Sequence, residues 1–384
     1  MNFLKAIPAA LVLLSLLLGL WQWLAARRFP LHRQATDASF APAISLLKPL
    51  KGCDATTAES LQSWFQPDYP GPVQLLFGIA DPQDPAGEIV RRLIEKNPGR
   101  DAQLIVCARS LGANGKVSTL VQLEQLAKYE LILVSDADVR VPGDFLVNVV
   151  QPLHDPKIGL VNCFYRLANP ANLAMQYEAI AVNADFWSQV LQAATLQAPD
   201  FALGAVMLTR RPWLEEIGGF TTLVNCLADD YQLGHRIVQK GHPIALSPIV
   251  VECWDRPMNW NAVWKHQLRW ARTIRVCRPA PYFFSILSNA TFWPLVWLIL
   301  SLAGSKLLFV LGAVAACILV RAAMARDLQR RLTPAGLKPA PSWLVPVKDL
   351  LQVTLWLAAF LGNTIEWRGQ KMRLRRDGTL TAPS

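Results

Sequence analysis

The sequence predicts an α/β domain with a parallel sheet, joined to a few membrane helices. Strand-like and helix-like segments alternate between residues 40 and 255, and long uncharged apolar stretches lie on both sides of that region. Hydrophobic residues make up 52% of the 384 residues and charged residues 17%, with a mean hydropathy of +0.25. This composition lies between that of a cytosolic enzyme and that of a polytopic transporter.

The charge and cysteine content exclude several classes of protein. The net charge of +10 comes from 38 basic and 28 acidic residues. We assign this excess to the flanks of membrane helices, because no RNA- or DNA-binding motif accompanies it, and we expect no nucleic-acid partner. The 7 cysteines form no C-x-x-C pair and the 5 histidines are scattered, which disfavours a zinc site or a disulfide framework. Reduced thiols are typical of a cytoplasmic domain.

The first element is an uncharged apolar stretch from Ile7 to Ala26. Its length matches a hydrocarbon core of about 30 Å at about 1.5 Å per residue, so residues 1–27 are predicted to form a transmembrane helix. A cleaved signal peptide is the alternative, but the apolar run is long and Arg27 and Arg28 follow it. The positive-inside rule then places the N-terminus outside and the chain after residue 27 in the cytoplasm.

Residues 40–255 are predicted to form the cytoplasmic α/β domain. The strand-like segments are 43–48, 73–80, 102–107 and 131–136, and the helical segments are 56–65, 86–96 and 117–127. Strands that are apolar on both sides indicate a parallel sheet covered on both faces. Such sheets bind ligands at the carboxyl ends of their strands.

Two carboxylates stand at one such end, in "LILVSDADVR" (131–140), where Asp136 and Asp138 follow an apolar strand. A helix cap or a solvated loop is the alternative reading, but further acids occur in "LADDYQLG" (227–234). Glycine-rich phosphate loops are absent, since "GANGKVS" (112–118) lacks the spacing and the hydroxyl of a Walker motif. A divalent cation held by the carboxylates would supply the charge that a diphosphate needs.

A basic amphipathic helix is predicted within residues 256–281, in "NWNAVWKHQLRWARTIRV" (259–276). One face is apolar and another is basic, which is typical of a helix at the cytoplasmic surface of a membrane; a helix packed in a core is the alternative. The apolar face comprises Trp260, Val263, Trp264, Leu268 and Ala271, and the basic face Lys265, Arg269 and Arg272.

Residues 282–363 are predicted to form a transmembrane hairpin followed by an interfacial or re-entrant helix. The hairpin consists of Tyr282–Gly304 and Leu307–Val320, with a tight turn at 304–305 and with Lys306 and Arg321 extending to the membrane surface. Leu350–Leu361 is too short for an ordinary membrane span, although the alternative that this segment forms a fourth span stays open. Residues 364–384 are predicted to be a basic cytoplasmic tail.

Several motifs together resemble one family. They are "SLLKPLKGCD" (45–54), "QPDYPGPVQLLFGIADPQDPA" (66–86), "YELILVSDADVRV" (129–141), "LADDYQLG" (227–234) and "HQLRWAR" (266–272). In order and spacing they resemble the ceramide glucosyltransferases, membrane enzymes of the GT-A type, and more broadly the family 2 glycosyltransferases. The resemblance covers about residues 40–280 and implies a GT-A fold, a Rossmann-like nucleotide-diphospho-sugar transferase domain.

The resemblance carries a D, D, D, (Q/R)xxRW pattern onto this chain. It implies that Asp84, with Asp81 nearby, meets the uracil base. The second aspartate matches Asp136 and the third matches Asp230. The last motif ends with Arg269 and Trp270, but His266 stands where Gln or Arg is expected, so the role of that position stays open.

Sugar transfer to an alcohol would assign chemistry to these residues. Asp136 and Asp138 would hold Mg²⁺ or Mn²⁺ on the diphosphate, and Arg269 would add positive charge. Asp230 would act as general base, which implies inversion at the anomeric carbon; the alternative is a helix N-cap, for which Asp229 is the better candidate. Lys48, after the first strand, and Lys116 would contact the nucleotide or lie in solvated loops.

The predicted function is transfer of a hexose from a UDP-sugar to the hydroxyl of a membrane lipid. Glucose is the favoured sugar, and the resemblance implies ceramide as the lipid. A hopanoid or another bacterial lipid alcohol, with transfer of N-acetylglucosamine or another sugar, is the alternative. A polysaccharide synthase would need more membrane segments, and a non-catalytic lipid-binding scaffold would not need the acids. We expect an integral, multi-pass protein of the inner (plasma) membrane with its catalytic domain facing the cytoplasm.

Overall fold

The computed structural model describes residues 3–35, 39–302, 306–334, 336–367 and 370–381. The strands are β1 Ile44–Leu50, β2 Val73–Ile79, β3 Asp101–Val106, β4 Leu131–Ser135, β5 Val139–Arg140, β6 Leu160–Leu167, β7 Val206–Arg210, β8 Ile244–Cys253, β9 Thr364–Trp367, β10 Gln370–Leu374 and β11 Leu380–Thr381.

The helices flank these strands; one helix precedes β1, and several helices separate β8 from β9. They are α1 Phe3–Arg28, α2 Thr57–Gln62, α3 Pro85–Lys96, α4 Gly115–Glu124, α5 Phe145–Val149, α6 Leu173–Ile180, α7 Trp187–Ala194, α8 Arg211–Glu216, α9 Asp229–Gln239, α10 Trp260–Cys277, α11 Pro279–Phe284, α12 Phe292–Ser301, α13 Leu307–Leu332 and α14 Leu344–Phe360. A π-helical segment, Ala181–Phe186, joins α6 to α7, and short 3₁₀ segments occur at Ser63–Phe65, Gln151–His154, Phe220–Leu223 and Ser285–Ser288.

The central sheet has 8 strands in the order β3-β2-β1-β4-β7-β6-β8-β5. The strands β3, β2, β1 and β4 run parallel, as the sequence predicts. The expectation of a wholly parallel sheet is wrong, because β7 runs antiparallel between β4 and β6, and β5 runs antiparallel to β8. The α/β class is confirmed, and the sheet is mixed.

Apolar side chains cover both faces of this sheet. In β1, Leu46 points into one buried cluster and Leu47 into the other, and both side chains are almost wholly inaccessible. Burial of such strands on two faces explains their unbroken apolar sequence. The polar loops at the carboxyl ends of β1, β2 and β4 are therefore held by a rigid core.

Two helices in the described part of the chain are long and apolar enough to cross a membrane, α1 from Ala6 to Arg28 and α13. A third span is possible if Pro279–Ser288 and Phe292–Ser301 count as one, but these segments meet at an angle of 54°. This bend lies within 282–304, the segment expected to form the first arm of the hairpin, and the crossing of the membrane by that segment stays a prediction. The expected turn at 304–305 lies outside the described residues.

The helix α13 continues well beyond Val320, where its apolar run ends, and Arg321 does not extend to the membrane surface as expected. The Arg321 guanidinium donates hydrogen bonds at 2.9 Å to Asp185 in the π-helical segment and to Asp349 in α14. Lys348 completes this ionic cluster by pairing with Asp185. The cluster connects two C-terminal helices to the α/β domain.

The residues after α14 form a second, small sheet that the sequence analysis did not predict. Its order is β11-β10-β9, and all neighbours are antiparallel. Ile365, Leu374 and Leu380 of this sheet pack on Leu227, which lies just before α9. The tail therefore returns to the α/β domain. The assignment of α14 as an interfacial or re-entrant helix stays a prediction.

Candidate active site

The D-x-D segment forms the connection between β4 and β5 at the carboxyl end of the sheet. The backbone N–H of Asp136 donates to the carbonyl of Ala205 at 3.2 Å, and the carbonyl of Asp138 accepts from the N–H of Trp254 at 3.0 Å. Both ends of this short segment are thus fixed to neighbouring strands. The side chains of Asp136 and Asp138 are both partly accessible.

The side chain of Lys48 holds the D-x-D segment in place through hydrogen bonds. It lies inside β1 and is wholly buried, so the expectation that it follows the strand in a loop is wrong. Its ammonium donates to Ser135 Oγ at 3.2 Å and also to the carbonyl oxygen of Asp136. Burial lowers the pKa of Lys48 to about 7, against the opposing effect of Asp138 and Asp136. Contact of Lys48 with a nucleotide remains a prediction.

Lys116, at the start of α4, connects two groups of acids. Its ammonium lies 2.7 Å from Asp136 Oδ1 and 3.0 Å from Asp229 Oδ2, and the side chain is buried. Burial alone would lower the pKa of Lys116, but Asp136 and Asp229 outweigh it and raise the pKa. Lys116 is therefore a fixed positive charge, and the expectation of a solvated loop does not apply to it.

Asp229 and Asp230 open α9 but do not cap it. The N-cap position belongs to Ala228, and no side chain caps this helix. The prediction that Asp229 is the cap is wrong, since its carboxylate pairs with Lys116. The alternative of a cap at Asp230 also fails.

The carboxyl group of Asp230 lies in a narrow space. A Cβ atom at Gly204 would stand 2.6 Å from Asp230 Oδ2, so a larger residue at 204 would displace this carboxylate. Burial and the neighbouring Asp229 raise the pKa of Asp230 to about 6, while Lys116 acts in the opposite direction. A carboxyl with such a pKa can accept a proton near neutral pH.

The donor atoms at the D-x-D segment suit a hard divalent cation. Burial first, and then the neighbouring Asp136 and Asp255, raise the pKa of Asp138 to about 7. Within the described ranges, no group of three or more His, Cys, Asp and Glu side chains is arranged to hold a metal. A cation at Asp136 and Asp138 would therefore need further oxygen ligands from a diphosphate and water.

Asp84 lies at the same edge of the sheet, after β2. It caps α3, where its Oδ1 accepts from the N–H of Ala86 at 2.9 Å, and the same carboxylate accepts from the N–H of Gly52 at 2.9 and 3.0 Å. Asp81 is exposed and accepts from the N–H of Gln83. Asp84 thus joins the loop after β1 to the loop after β2, and contact with a uracil base stays a prediction.

The helix α10 carries Arg269 and Trp270, both half-buried. The Trp270 ring lies 4.8 Å from the His266 ring and 6.2 Å from the Phe186 ring, measured between centroids. Near the end of the helix, the Tyr231 hydroxyl donates to the carbonyl of Cys277 at 3.2 Å. This contact brings α10 beside the residue that follows Asp230.

His266, where the motif departs from Gln or Arg, has a specific partner that sequence reasoning missed. Its Nδ1 lies 2.6 Å from Oε1 of Glu178, a buried carboxylate of α6, and Gln267 donates to the same oxygen at 2.9 Å. A glutamate in an apolar helical segment was the only signal available in the sequence.

The structure bears on the core alternative for the amphipathic helix, while its placement at a membrane surface stays a prediction. Val263 and Ala271 of its apolar face are buried in the protein, as a core helix requires. Trp260 and Trp264 are 47% and 36% exposed on the same helix. Large exposed tryptophans next to apolar helices are typical of a membrane interface.

The α/β domain with its mixed sheet has the GT-A fold. A mannosyltransferase from Pyrobaculum calidifontis, solved with GDP-Man and Mn²⁺, has a similar fold: the TM-score is 0.55 at 22% identity, over 94% of this chain and 98% of that chain. The family model of glycosyl transferase family 21 matches residues 7–380. The chain belongs to glycosyl transferase family 21, and the resemblance drawn from the motifs is confirmed.

The names of the relatives found by sequence comparison are consistent with this family assignment. Ceramide glucosyltransferase 3 of Caenorhabditis elegans is 26% identical over 222 residues, 57% of this chain and 48% of that protein. A beta-monoglucosyldiacylglycerol synthase of Trichormus variabilis is 27% identical over 252 residues, 63% of this chain and 51% of that protein. The chain thus spans about half the length of these relatives.

Proposed function

We propose that this protein transfers a hexose from a UDP-sugar to the hydroxyl of a membrane lipid, with inversion at the anomeric carbon. The observation that carries the proposal is the Lys116 bridge, 2.7 Å from Asp136 and 3.0 Å from Asp229. The bridge holds Asp136 next to Asp230. Asp136, together with Asp138, is suited to bind a metal and diphosphate, and Asp230 is suited to accept a proton. Both requirements of sugar transfer therefore meet in one place.

At the donor end, Asp136 and Asp138 would hold Mg²⁺ or Mn²⁺. When bound, the cation would neutralise charge on the diphosphate. Lys116 keeps Asp136 in place and adds fixed positive charge nearby, and Arg269 would provide a further charge. The mannosyltransferase with the similar fold was solved with Mn²⁺ and a nucleotide sugar, which supports this assignment.

At the acceptor end, Asp230 would act as general base. The lipid hydroxyl oxygen forms a bond to the anomeric carbon while the bond from that carbon to the diphosphate oxygen breaks. UDP leaves with that electron pair, and the hydroxyl proton passes to the Asp230 carboxylate. One base facing one leaving group gives a single displacement, hence inversion.

The lipid acceptor is inferred from the surface around α10 and from the named relatives. Trp260 and Trp264 are exposed there, and Phe283 and Phe284 of α11 are more than half exposed. The relatives are named for ceramide and diacylglycerol glycolipids, and ceramide with glucose is the pair we propose first. We place the protein in the inner membrane with its α/β domain in the cytoplasm.

Purified protein, UDP-sugars and lipid acceptors test this proposal directly. UDP-glucose, UDP-galactose and UDP-N-acetylglucosamine are each incubated with ceramide, diacylglycerol and a hopanoid alcohol, and products are identified by mass spectrometry. We expect a monoglycosyl lipid of inverted anomeric configuration, formed with Mg²⁺ or Mn²⁺ and abolished by EDTA. Polymer, or no turnover with any pair, would contradict the proposal; the second result would favour a lipid-binding scaffold.

A further inference from the structure

The small C-terminal sheet pairs with the segment that leads into α9. The N–H of Leu227 donates to the carbonyl of Gly378 at 3.1 Å, and the N–H of Leu380 donates to the carbonyl of Asn225 at 2.7 Å. Cys226 and Thr379 form an antiparallel bridge between these bonds. Residues 225–227 thus serve as an additional strand of the C-terminal sheet, three residues before Asp230.

Apolar packing reinforces this pairing. Leu227, Ile365, Leu374 and Leu380 are each at least 94% buried and form one cluster. Val276 of α10 packs against the same cluster. The sheet therefore has a core of its own, which it shares with the segment before α9 and with the end of α10.

The other side of the C-terminal sheet is attached to α10. Lys265 pairs with Glu366 of β9 at 2.9 Å. Arg272 donates to the carbonyl of Thr364, and Arg275 donates to the side chain of Asn363. These contacts lie one turn on either side of Arg269 and further along the same helix.

The segment 225–227 is also tied to the donor end of the site. Asn225 Oδ1 accepts from the N–H of Ala113 at 3.0 Å, and Asn114 Nδ2 donates to the carbonyl of Cys226 at 2.8 Å. Asn114 caps α4, the helix that carries Lys116. The position of this short segment therefore influences Asp229, Asp230 and Lys116 together.

We propose that the C-terminal sheet, formed by β9, β10 and β11, is a positioning element that holds the Asp230 segment in register with α10. Its function is to fix the distance between the acids at the start of α9 and the Arg269–Trp270 motif, which come from separate parts of the chain. The inference rests on the proposed function in assigning catalysis to Asp230 and Arg269.

The test uses full-length variants with a cavity in this sheet, Leu374→Ala and Leu380→Ala, each compared with Leu380→Met. Leu93→Ala in α3 is the matched control, because Leu93 is buried to a similar degree and lies in the core beside β2 and β3. We expect kcat to fall about 10- to 100-fold in the two sheet variants, with KM for the UDP-sugar unchanged. Leu380→Met and Leu93→Ala should keep kcat near that of the wild type.

Amide hydrogen exchange of the same variants provides a readout that does not depend on turnover. Exchange across 225–231 should accelerate in the sheet variants, whereas exchange across β1 should stay as in the wild type. Arg275→Met, which removes the contact to Asn363, repeats the test without a core cavity. Unchanged exchange at 225–231, or an equal fall of kcat in Leu93→Ala, would overturn the inference. Absence of turnover in the wild type would instead overturn the proposed function, and exchange would still decide the role of the sheet.

Discussion

Lys116 is the residue on which the geometry of the site depends most. Its ammonium lies between the carboxylates of Asp136 and Asp229 and is almost wholly buried. Lys116→Met would leave the buried Asp229 carboxylate and the partly exposed Asp136 carboxylate without their counter-charge. We expect a loss of about 3–5 kcal/mol in the free energy of unfolding, measured by denaturant titration. Lys128→Met removes an exposed pair with Asp101 and should change stability very little. Equal stability of the two variants would show that the bridge is not formed.

The pKa of Asp230 predicts a specific dependence of kcat on pH. Its pKa of about 6 means that the carboxylate is the dominant form above that pH, so kcat should rise as pH increases through about 6 and then level off. Asp230→Asn should lower kcat by about 10²- to 10⁴-fold and remove this limb, while UDP binding persists. Steady-state kinetics from pH 5 to pH 8 measure both. Transfer that persists in Asp230→Asn would refute the base assignment.

The raised pKa of Asp230 suits this carboxylate to act as a base, but it also means that ionisation of Asp230 lowers the stability of the folded protein. An unfolded chain would ionise this carboxyl near 3.8, so the folded state binds its proton more tightly. Ionisation therefore costs stability, increasingly as pH rises from about 4 to about 6, and the full cost remains above that range. Asp230→Asn should thus raise the melting temperature at pH 7 but not at pH 4. A lower melting temperature at pH 7 would indicate that the carboxylate is stabilised by its surroundings.

Sequence reasoning predicted the acids of the candidate site but not the side chains that pair with them. Asp136, Asp138 and Asp230 were recognisable because each stands in a short motif. The Lys116–Asp229 pair joins residues more than a hundred positions apart, and no local pattern indicates such a contact. Lys48 was misplaced because β1 continues to Leu50, through a lysine and a proline that a strand pattern disfavours.

At the scale of elements, α10 carries both Arg269 and two exposed tryptophans, which the proposed function places at the membrane surface. Trp260 and Trp264 are exposed, while Val263 and Ala271 of the same helix are buried. Trp260→Ser with Trp264→Ser should raise KM for a lipid acceptor in vesicles by about tenfold or more, since each buried aromatic contributes about 1.5–3 kcal/mol. KM for the UDP-sugar should not change. Kinetics with vesicles and with a short-chain soluble acceptor separate the two effects.

A control for this pair is an exposed leucine at the opposite edge of the sheet. Leu126 is 44% exposed, and its carbonyl accepts from Gln74 near the start of β2. Leu126→Ser should leave KM for the lipid unchanged. If the tryptophan variants also keep the wild-type KM, α10 does not form the acceptor surface.

The elements that the sequence predicted are those with strong local periodicity. The strands β1 to β4 and the helices α3 and α4 lie within two residues of their predicted bounds, apart from the end of α4. The strands β6, β7 and β8 were not predicted, and the antiparallel direction of β7 depends on its connections and not on its side chains. The C-terminal sheet was missed because its basic residues occupy the exposed sides of short strands, which reads as a solvated tail.

At the scale of the whole molecule, the ionic cluster of Asp185, Arg321, Lys348 and Asp349 joins the C-terminal helices to the α/β domain. Every one of these side chains is at least 88% buried. The Asp349 carboxylate also accepts from the Thr291 hydroxyl at 2.7 Å, next to the bend between the segments at 279–288 and 292–301. The cluster therefore fixes α13 and α14, together with this bend, against the π-helical segment that follows α6.

Arg321→Met tests whether this cluster holds the two parts together. The substitution would leave Asp349 facing Asp185 with only Lys348 to compensate, and removing one partner of a buried ion pair costs about 3–5 kcal/mol. We expect a clear fall in melting temperature in detergent, with activity lost before the α/β domain unfolds. Arg326→Met, an exposed position five residues along α13, is the matched control and should behave as the wild type. Arg321→Met combined with Asp349→Asn should recover part of the loss, because Lys348 can still neutralise Asp185. Equal melting temperatures for Arg321→Met and Arg326→Met would mean that apolar packing alone joins the helices to the domain.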